Sequence, residues 1–380
     1  MRSAAERMYS DFCTLFDRNY LFKGLALHES LQRNVADFTL WVLCMDDIVY
    51  EMLEMMRLPQ LELISLAQFE DHDLILAKAT RTQVEYCWTC TPSLPLYLLD
   101  HVPGIESITY LDADLFFLGE PESVYREMGA GSIGIVEHRL SKEHERFAEN
   151  VGLYNVAFMV FKNDQYAREC LAWWRDRCNE WCYVRVEDGK YGDQKYLDDW
   201  PERFARVVVL QDVGVGLAPW NLRSHRLAMR GGGVFVDGQP LIYYHFHSFL
   251  IVGNGDQFRL AYPGYRLGSR GVRLVYGPYI ASIMRAMTQV RRIAPAYAHG
   301  VSSEPLDTSF TRFVAWASGR VDSTGHRMKR LVRAALGRGG SLSTSETVVP
   351  SAAPPIVPVD DVEPQGVASP DDRAARPDAD

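Results

Sequence analysis

The sequence lacks three features that place many proteins in a class: long hydrophobic runs, an excess of basic charge, and cysteines spaced for disulfides or zinc sites. No stretch approaches the roughly 20 continuous apolar residues that a membrane span requires. The first residues, MRSAAERMYSDFC, contain no apolar segment of signal-peptide length. The seven cysteines are an odd number scattered through apparent core segments, as is typical of a reducing compartment. We therefore expect a cytoplasmic location.

The charge balance is acidic, with a formal net charge of -9 over 380 residues. Broad nucleic-acid binding needs a basic footprint, so we expect no nucleic-acid partner. Two cysteine pairs have short spacings, Cys87 with Cys90 and Cys178 with Cys182. Neither pair has a second half at zinc-site spacing, so both pairs favour buried packing over metal binding.

The usual glycine motifs for nucleotide phosphates are also missing where they would be needed. The first turn between a strand and a helix reads FDRNYLFKG and contains no GxGxxG. No GxxxxGK[ST] is present, which excludes a P-loop nucleotide triphosphatase. A nucleotide bound here needs another anchor for its phosphates, and a divalent ion held by carboxylates would supply one.

Strands and helices alternate in the first part of the chain. The strand-like runs DFCTLF, DFTLWVLCM, LELISL and SITYL are separated by helical runs, the last of them RTQVEYCWTCTPSLPLYLLDH. This alternation predicts an α/β fold with a mainly parallel central sheet and helices on both faces. After it come the strand-like runs GSIGIVEH, YNVAFMVF and ARVVVLQ, and the run VFVDGQPLIYYHFH, which predicts a hairpin because Asp-Gly favours a tight turn.

Composition predicts three regions. Residues 1–250 form the α/β domain and residues 251–340 a basic, helical C-terminal extension. Residues 341–380 form a disordered tail, because Pro, Ser, Ala and acidic residues without aromatics bury too little apolar surface.

Two carboxylates, Asp112 and Asp114, follow the buried strand SITYL directly. Ligands of open α/β sheets bind beyond the carboxyl ends of the strands. In extended backbone, residues i and i+2 point to the same side about 7 Å apart, so both carboxylates should face one region. Such a pair is costly without a cation, and oxygen ligands suit Mg²⁺ or Mn²⁺. The pattern predicts a divalent metal site, and capping of a strand-to-turn junction is the alternative.

The segment TYLDADLFF resembles the DxD segment of metal-dependent, nucleotide-sugar glycosyltransferases with the glycosyltransferase A fold. Four segments follow in the order of the retaining branch, which includes glycogenin and bacterial lipopolysaccharide galactosyltransferases: YNVAFMVF, YGDQKYLDDWP, GLAPWNL and LIYYHFHSF. The set resembles still more closely a group of bacterial proteins known only as glycosyltransferases. The resemblance covers roughly residues 12–248. It implies a Rossmann-like fold and transfer, with retention, from a nucleoside diphosphate sugar such as a UDP-sugar to an acceptor hydroxyl.

The resemblance also implies a metal site and a sugar site. Asp112 and Asp114 match the DxD and would hold Mn²⁺ or Mg²⁺, with Asp112 also reaching the nucleotide. His245 matches the late histidine ligand, and His247 alternates onto the same face of the strand as a further candidate ligand. The positions around the donor sugar, which would act in catalysis, are matched by Asn155, Asp193 and Gln194.

The remaining matches concern the nucleotide and the acceptor. Asp17 and Tyr20 stand where the family grips the nucleotide base. Arg81 precedes a helix that would face the same crevice and is a candidate partner of the diphosphate. Trp220 and Asn221 match a pair near the acceptor side, which would receive a glycan or a lipid-linked acceptor.

The chain departs from the retaining pattern at two places. Ser248 stands where the relatives have Gly, and FLIVGNGD follows instead of Lys-Pro-Trp. Lys195, a later arginine or the metal alone would then neutralise the leaving diphosphate. Ala157 replaces a glycine near the sugar. These departures leave the donor sugar and the stereochemical outcome open.

Two other functions remain open from the sequence. A catalytically inactive scaffold that binds a nucleotide sugar would use the same fold. A phosphatase of the haloacid-dehalogenase type also has Asp-x-Asp after a strand, but it needs Thr or Val where Phe116 stands.

The C-terminal run HRMKRLVRAALGR has apolar residues at helical spacing among arginines. Such a helix either lies on an anionic membrane surface or is an ordinary solvated helix. If the acceptor is lipid-linked, a helix on the membrane surface would bring the protein into peripheral contact with the inner leaflet.

Overall fold

The computed structural model describes residues 9–253, 255, 257–260, 265 and 267–302. Within this part, the predicted α/β class is confirmed, with a mainly parallel central sheet flanked by helices. The predicted tail and the run HRMKRLVRAALGR lie outside the described residues. None of the helices in the described part is both long and apolar enough to span a bilayer.

The strands are β1 (Asp11–Phe16), β2 (Thr39–Cys44), β3 (Leu61–Ser65), β4 (Ser107–Leu111), β5 (Leu115–Phe117), β6 (Ile133–Glu137), β7 (Tyr154–Lys162), β8 (Val207–Leu210), β9 (Leu227–Arg230), β10 (Gly233–Val236), β11 (Gln239–Pro240), β12 (Tyr243–His245), β13 (Phe249–Val252), β14 (Gln257–Leu260) and β15 (Val301–Ser302).

The α-helices are α1 (Leu21–Asn34), α2 (Asp47–Met56), α3 (Leu66–Phe69), α4 (His72–Lys78), α5 (Gln83–Cys90), α6 (Ser93–His101), α7 (Glu122–Met128), α8 (Ala148–Val151), α9 (Gln165–Glu180), α10 (Trp200–Arg203), α11 (Ser269–Gly271) and α12 (Gly277–Ile293). Short 3₁₀ turns cover Glu145–Phe147, Gln194–Asp199 and Leu222–Ser224, and a π-helical turn, Val272–Tyr276, joins α11 to α12.

The central sheet has seven strands in the order β3-β2-β1-β4-β7-β6-β8. Only β7 runs against the others, pairing antiparallel with both β4 and β6. The order departs from the chain order at β1, which pairs with β2 on one side and β4 on the other. A crevice opens at such a switch point beyond the carboxyl ends of the parallel strands, and this is where ligands of open α/β sheets bind.

Two apolar cores cover the two faces of the sheet. Residues of β1 alternate between them, with Phe12 and Phe16 in one core and Cys13 and Leu15 in the other. This alternation is the period of two that a strand buried on both faces imposes. The first core packs α1, α2 and α12 against the sheet, and the second packs α4, α5, α6 and α9.

Local sequence signals explain where one helix begins and where a helical stretch is interrupted. Thr82 and Glu85 form a capping box at the start of α5. The helical stretch predicted over residues 81–101 is helical in the structure, but it is interrupted. It is two helices, α5 and α6, because Pro92 follows α5 and lacks the N–H that a continuing helix needs.

The predicted hairpin is correct only at its turn. Asp237 and Gly238 both have positive φ and join β10 to β11, as the Asp-Gly signal predicts. The chain then leaves the hairpin, and β12 pairs antiparallel with β5 instead. This pairing, which sequence spacing does not reveal, brings His245 next to the Asp-Ala-Asp segment.

The described part of the predicted C-terminal extension packs with the rest of the chain. Helix α12 lies against α1, and Tyr279 and Ile283 belong to the same apolar core as Phe12. Glu29 of α1 accepts hydrogen bonds from Ser282 (2.6 Å) and from Arg285 (2.7 Å). The domain boundary at residue 250 stays a prediction of the sequence.

Candidate functional site

A cleft opens beyond the carboxyl ends of β1 and β4. It contains about 1210 Å³ of empty space, including solvent at its mouth. Its walls come from the end of β1, from α5, from the turn after β4, from β7 and from β12. The predicted site residues that line it are Asp17, Tyr20, Asp112, Asp114, Asn155, Asp193, Gln194, Trp220, His245 and His247.

The Asp-Ala-Asp segment is a tight turn. The carbonyl of Asp112 accepts a hydrogen bond from the N–H of Leu115 (3.1 Å), and the N–H of Asp112 donates to Ala157 of β7 (2.9 Å). The extended geometry expected for this segment is therefore wrong, because β4 ends and β5 begins within four residues. The two carboxylates still face one region, because the turn folds Asp114 back toward the end of β4.

Asp112, Asp114 and His245 form a cluster that could hold a metal ion. One ligand atom from each lies within 4.8 Å of the others, and this is the single such cluster found in the described residues. His245 Nε2 is 3.1 Å from Asp114 Oδ1 and 3.8 Å from Asp112 Oδ2. Two carboxylates and an imidazole suit a divalent ion of the Mn²⁺ or Mg²⁺ kind. The donor set therefore fits a metal.

The charges in this cluster depend on one another. Burial alone would lower the pKa of His245, but the negative charges of Asp114 and Asp112 outweigh it and raise that pKa. Burial would raise the pKa of Asp114, but His245 and Lys23 hold it well below its usual value. Burial and the charge of Asp114 raise the pKa of Asp112. A protonated His245 would therefore neutralise part of the negative charge of the two carboxylates.

Lys23 is a charged neighbour of the site that the sequence did not indicate. It lies on α1, with its Nζ 3.7 Å from Asp114 Oδ2 and 3.9 Å from the centre of the Tyr20 ring. Both side chains of the pair are buried, with 8% and 9% of their surface exposed. A lysine is almost never buried without an anionic partner. The helical run LFKGLALHE placed Lys23 on an apolar helix, and that unusual setting was the only signal available.

His247 lies beside the metal cluster without joining it. Its ring is 5.7 Å from that of His245, and the ring of Trp220 contacts both, at 5.5 Å and 5.4 Å. Burial and the charge of His245 lower the pKa of His247 to about 3, so this histidine stays neutral. The indole N–H of Trp220 donates to the backbone oxygen of His138 (2.8 Å), which fixes the ring between the histidines.

The polar groups expected around a sugar converge on the cleft. The side-chain oxygen of Asn155 accepts from the N–H of Ala157 (2.9 Å), so its amide nitrogen donates to His138 Nε2 (3.1 Å). Burial, with the charge of Asp112, raises the pKa of Asp193 to about 7. Asp193 begins the turn that carries Gln194, but its side chain does not cap that turn.

The first loop supplies polar groups at another part of the cleft. The carboxylate of Asp17 accepts hydrogen bonds from the backbone and the side chain of Asn19, both near 3.0 Å. Asn19 also lines the cleft, and the sequence analysis missed it. Its place between Asp17 and Tyr20 was the available signal.

Two predicted site residues do not line the cleft. The guanidinium of Arg81 donates to the backbone oxygen of Asn179 (3.2 Å) and lies over the ring of Tyr183, at the end of α9. The side chain of Asn221 is buried and donates to the backbone oxygens of Gly216 (2.8 Å) and His138 (3.1 Å). Arg81 thus caps a helix end, and Asn221 holds the loop beside Trp220.

The lysine considered as a replacement for the family's Lys is also engaged elsewhere. Lys195 pairs with Asp198 through a contact of 2.7 Å and is not among the residues that line the cleft. No lysine or arginine lines the cleft among the residues that the structure describes. Four aspartates do line it, so the lining attracts cations and disfavours a bare anionic ligand.

Comparison with known proteins identifies close relatives. The chain is 32% identical over 292 residues to YfnD of Bacillus subtilis (strain 168), covering 76% of this chain and 93% of YfnD. The chain belongs to the same protein family as YfnD. Another member, YfnF of the same organism, is 35% identical over 252 residues, which cover 64% of this chain and 83% of YfnF. No protein-family model matches the chain.

The solved structures to which this YfnD-family chain is similar include glycosyltransferases. One is the galactosyltransferase LgtC in complex with donor and acceptor sugar analogs, at 13% identity and a TM-score of 0.45, covering 74% of this chain and 95% of that one. Another is the glycosyltransferase GlyE of Streptococcus pneumoniae TIGR4, at 14% identity and a TM-score of 0.44, covering 76% of this chain and 64% of that one.

Proposed function

We propose that this protein is a metal-dependent glycosyltransferase. It would move a sugar from a nucleoside diphosphate sugar, in the first place a UDP-sugar, to a hydroxyl of a glycan or lipid-linked acceptor. The observation that carries the proposal is the cleft itself. Its described lining holds an Asp112-Asp114-His245 cluster, further carboxylates and no lysine or arginine. A divalent ion held by this cluster would supply the positive charge that a diphosphate needs in such an acidic cleft.

Asp112, Asp114 and His245 would hold the ion, with Mn²⁺ as the first choice and Mg²⁺ as the second. When bound, the ion would supply positive charge to the leaving diphosphate. Lys23, whose Nζ lies 3.7 Å from Asp114, fixes that carboxylate from behind and adds a second positive charge at the edge of the site. Arg81 has no part in this proposal, because its guanidinium is held at the end of α9.

The other cleft residues would orient the substrates. Asp17, Asn19 and Tyr20 form the loop that would receive the nucleotide base and ribose. Asn155 and Gln194 offer amides to the sugar hydroxyls, and fixing a sugar in one pose is most of what positioning contributes to catalysis.

Asp193 has a pKa near 7, so at neutral pH its carboxyl can either hold or accept a proton beside the sugar. No carboxylate among the described residues is singled out as a general base for the acceptor. A leaving phosphate oxygen would take the acceptor proton, which is the route that transfer with retention implies.

The acceptor would approach past Trp220. Its ring is held by a hydrogen bond to His138 and packs against His245 and His247. Asn221 would position Trp220 and would not contact the acceptor, because its buried side chain donates to the backbone oxygens of His138 and Gly216.

The proposal is tested by nucleotide release from a panel of UDP-, GDP-, CMP- and TDP-sugars, with Mn²⁺ or with EDTA. In the absence of acceptor, a transferase is expected to hydrolyse its donor slowly. Release should require Mn²⁺ and should fall at least a hundredfold in Asp112→Asn, because this change removes a metal-holding charge.

Asp188→Asn is the matched control, since Asp188 is exposed in a turn outside the cleft. Asp112→Asn releasing nucleotide as fast as this control would refute the mechanism. Tight binding of a nucleotide sugar without any release, even with acceptors present, would favour the scaffold instead. Release of phosphate from a simple aryl phosphate would favour the phosphatase.

A further inference from the structure

One face of α5 forms a wall of the cleft. Val84, Cys87, Trp88 and Thr91 all line it, and their spacing of three and four residues places them on a single helical stripe. Trp88 is the largest of these side chains and is only half-buried. Part of its indole therefore faces the space that a ligand would fill.

The Trp88 ring stands directly beside the segment that carries the polar sugar-site residues. Gly192 has a φ of +53°, and a Cβ at that position would lie 3.2 Å from the indole. The glycine thus lets the backbone approach the ring and places the next residue, Asp193, next to it. The ring of Tyr191 lies 6.2 Å away at 49°, which completes an aromatic corner.

Asp193 lacks a partner for one of its oxygens. The residue is 3% exposed, and its Oδ2 has no hydrogen bond to any described residue. A buried acceptor without a partner is costly, so one that faces a cleft points to a ligand that supplies the hydrogen bond. The missing partner is a hydrogen-bond donor, and a sugar hydroxyl is one.

An apolar ring face beside a polar edge matches the surface of a pyranose. The faces of a neutral sugar ring carry C–H groups, while its hydroxyls point outward along the edge. Binding sites for small molecules combine apolar and aromatic walls with a few placed polar groups in this way. Trp88 would cover the ring face while Asp193 meets a hydroxyl at the edge.

The charge of the cleft restricts the sugar further. Four aspartates line it, and the described lining residues include no lysine or arginine. A bound divalent ion would serve the diphosphate, which leaves nothing in this lining to pair with a second anion. A sugar carboxylate would stand near Asp193 and Asp112, where like charges repel.

We propose that Trp88 is a specificity-determining residue that packs against the face of a neutral donor sugar, and that the cleft rejects uronic acids. This inference rests on the proposed function and deepens it. It assigns the contact to the sugar and not to the nucleotide base, because Trp88 packs against the residue that precedes Asp193, and Asp17 and Tyr20 lie on the separate first loop.

The test is calorimetric titration in the presence of Mn²⁺, using nucleotides with and without their sugars. The probes are UDP, UDP-glucose and UDP-glucuronic acid, with GDP, GDP-mannose and GDP-mannuronic acid as the second series. The variants are Trp88→Phe and Trp88→Leu. Trp173→Leu is the matched control, because Trp173 lies on α9 under the guanidinium of Arg203, outside the cleft.

The wild-type protein should bind the neutral nucleotide sugar at least about tenfold more tightly than the uronate of the same nucleotide. Trp88→Leu should lose roughly 2- to 10-fold in affinity for the neutral nucleotide sugar, as the loss of aromatic packing implies. Its affinity for the bare nucleotide should not change, which also shows that the variant is folded. Trp88→Phe should lie in between, and Trp173→Leu should match the wild type.

An equal loss for the bare nucleotide would overturn the inference by showing that Trp88 stacks on the base. It would also be overturned by unchanged sugar affinity in Trp88→Leu, or by preference for the uronate. In each of these cases nucleotide and metal still bind, so the proposed function survives. Failure of the wild-type protein to bind any nucleotide would instead remove the proposed function and the inference with it.

Discussion

Replacing the carboxyl of Asp193 by an amide should stabilise the folded protein at high pH. Burial raises the pKa of Asp193 from 3.8 to about 7, so the folded protein keeps a proton that the unfolded chain has already released. The contribution of this group to stability is complete below pH 4 and is lost as the pH rises through 7. Asp193→Asn has no such group, so its stability relative to the wild type should increase with pH.

The size of the effect follows from the same two pKa values. Between pH 5 and pH 8, the free energy of unfolding of the wild type should fall relative to that of Asp193→Asn by about 2.5 kcal/mol. In a domain of this size, that difference corresponds to roughly 4 °C in the unfolding temperature. Comparing two variants at each pH cancels the titration of the other carboxyl groups.

The assay is urea unfolding of both proteins in EDTA, without nucleotide, at pH 5, 6, 7 and 8. Asp188→Asn, in an exposed turn, should follow the wild type at every pH. A constant difference between Asp193→Asn and the wild type across this range would refute the reasoning. It would mean that Asp193 finds a proton donor or a solvated conformation that the structure does not show.

Two further changes test the surroundings of the cluster. Lys23→Met removes the cation 3.7 Å from Asp114 and should cost about 3 kcal/mol of unfolding free energy in EDTA, but less in Mn²⁺. Equal losses in both conditions would contradict this. Gly24→Ala would place a Cβ 2.4 Å from the ring of Phe16, at the end of β1, and should cost about 1–3 kcal/mol in urea unfolding. A neutral or stabilising result would show that the ring moves freely.

Much of the fold could be predicted because its signals are local. SITYL is buried along its whole length as β4, and DFCTLF forms β1, in which every residue after Asp11 is buried. The break between α5 and α6 shows that a helical pattern should not be extended across a proline. Pro92 has no N–H to donate, so the backbone could not continue one helix through it.

The candidate site was also predictable only where its residues lie close together in the sequence. Asp112 and Asp114 are separated by one residue, so their convergence could be predicted even though the expected backbone geometry was wrong. The resemblance added His245, which reaches them only because β12 pairs with β5 more than 120 residues away in the chain. No spacing rule reveals that pairing.

Residues that act through tertiary contacts were missed or misplaced. Lys23 looks like one polar residue on an apolar helix until α1 packs beside Asp114. Arg81 looked available for a diphosphate, but its guanidinium donates to the backbone oxygen of Asn179 at the end of α9. Trp88 received no role from the sequence, because nothing local shows that its stripe of α5 faces a cleft. The surroundings of all three residues are set by packing between segments that are far apart in the sequence.

The most direct test of the central claim is a thermal-shift comparison of the wild type with Asp112→Asn. Each is measured with UDP and GDP, in Mn²⁺ and in EDTA. One nucleotide should raise the unfolding temperature of the wild type only when Mn²⁺ is present, because nucleotide at a hundredfold excess over its Kd adds about 2.7 kcal/mol. Asp112→Asn should show no such shift. A nucleotide shift that persists in EDTA, or in Asp112→Asn, would contradict a metal-anchored diphosphate in this cleft.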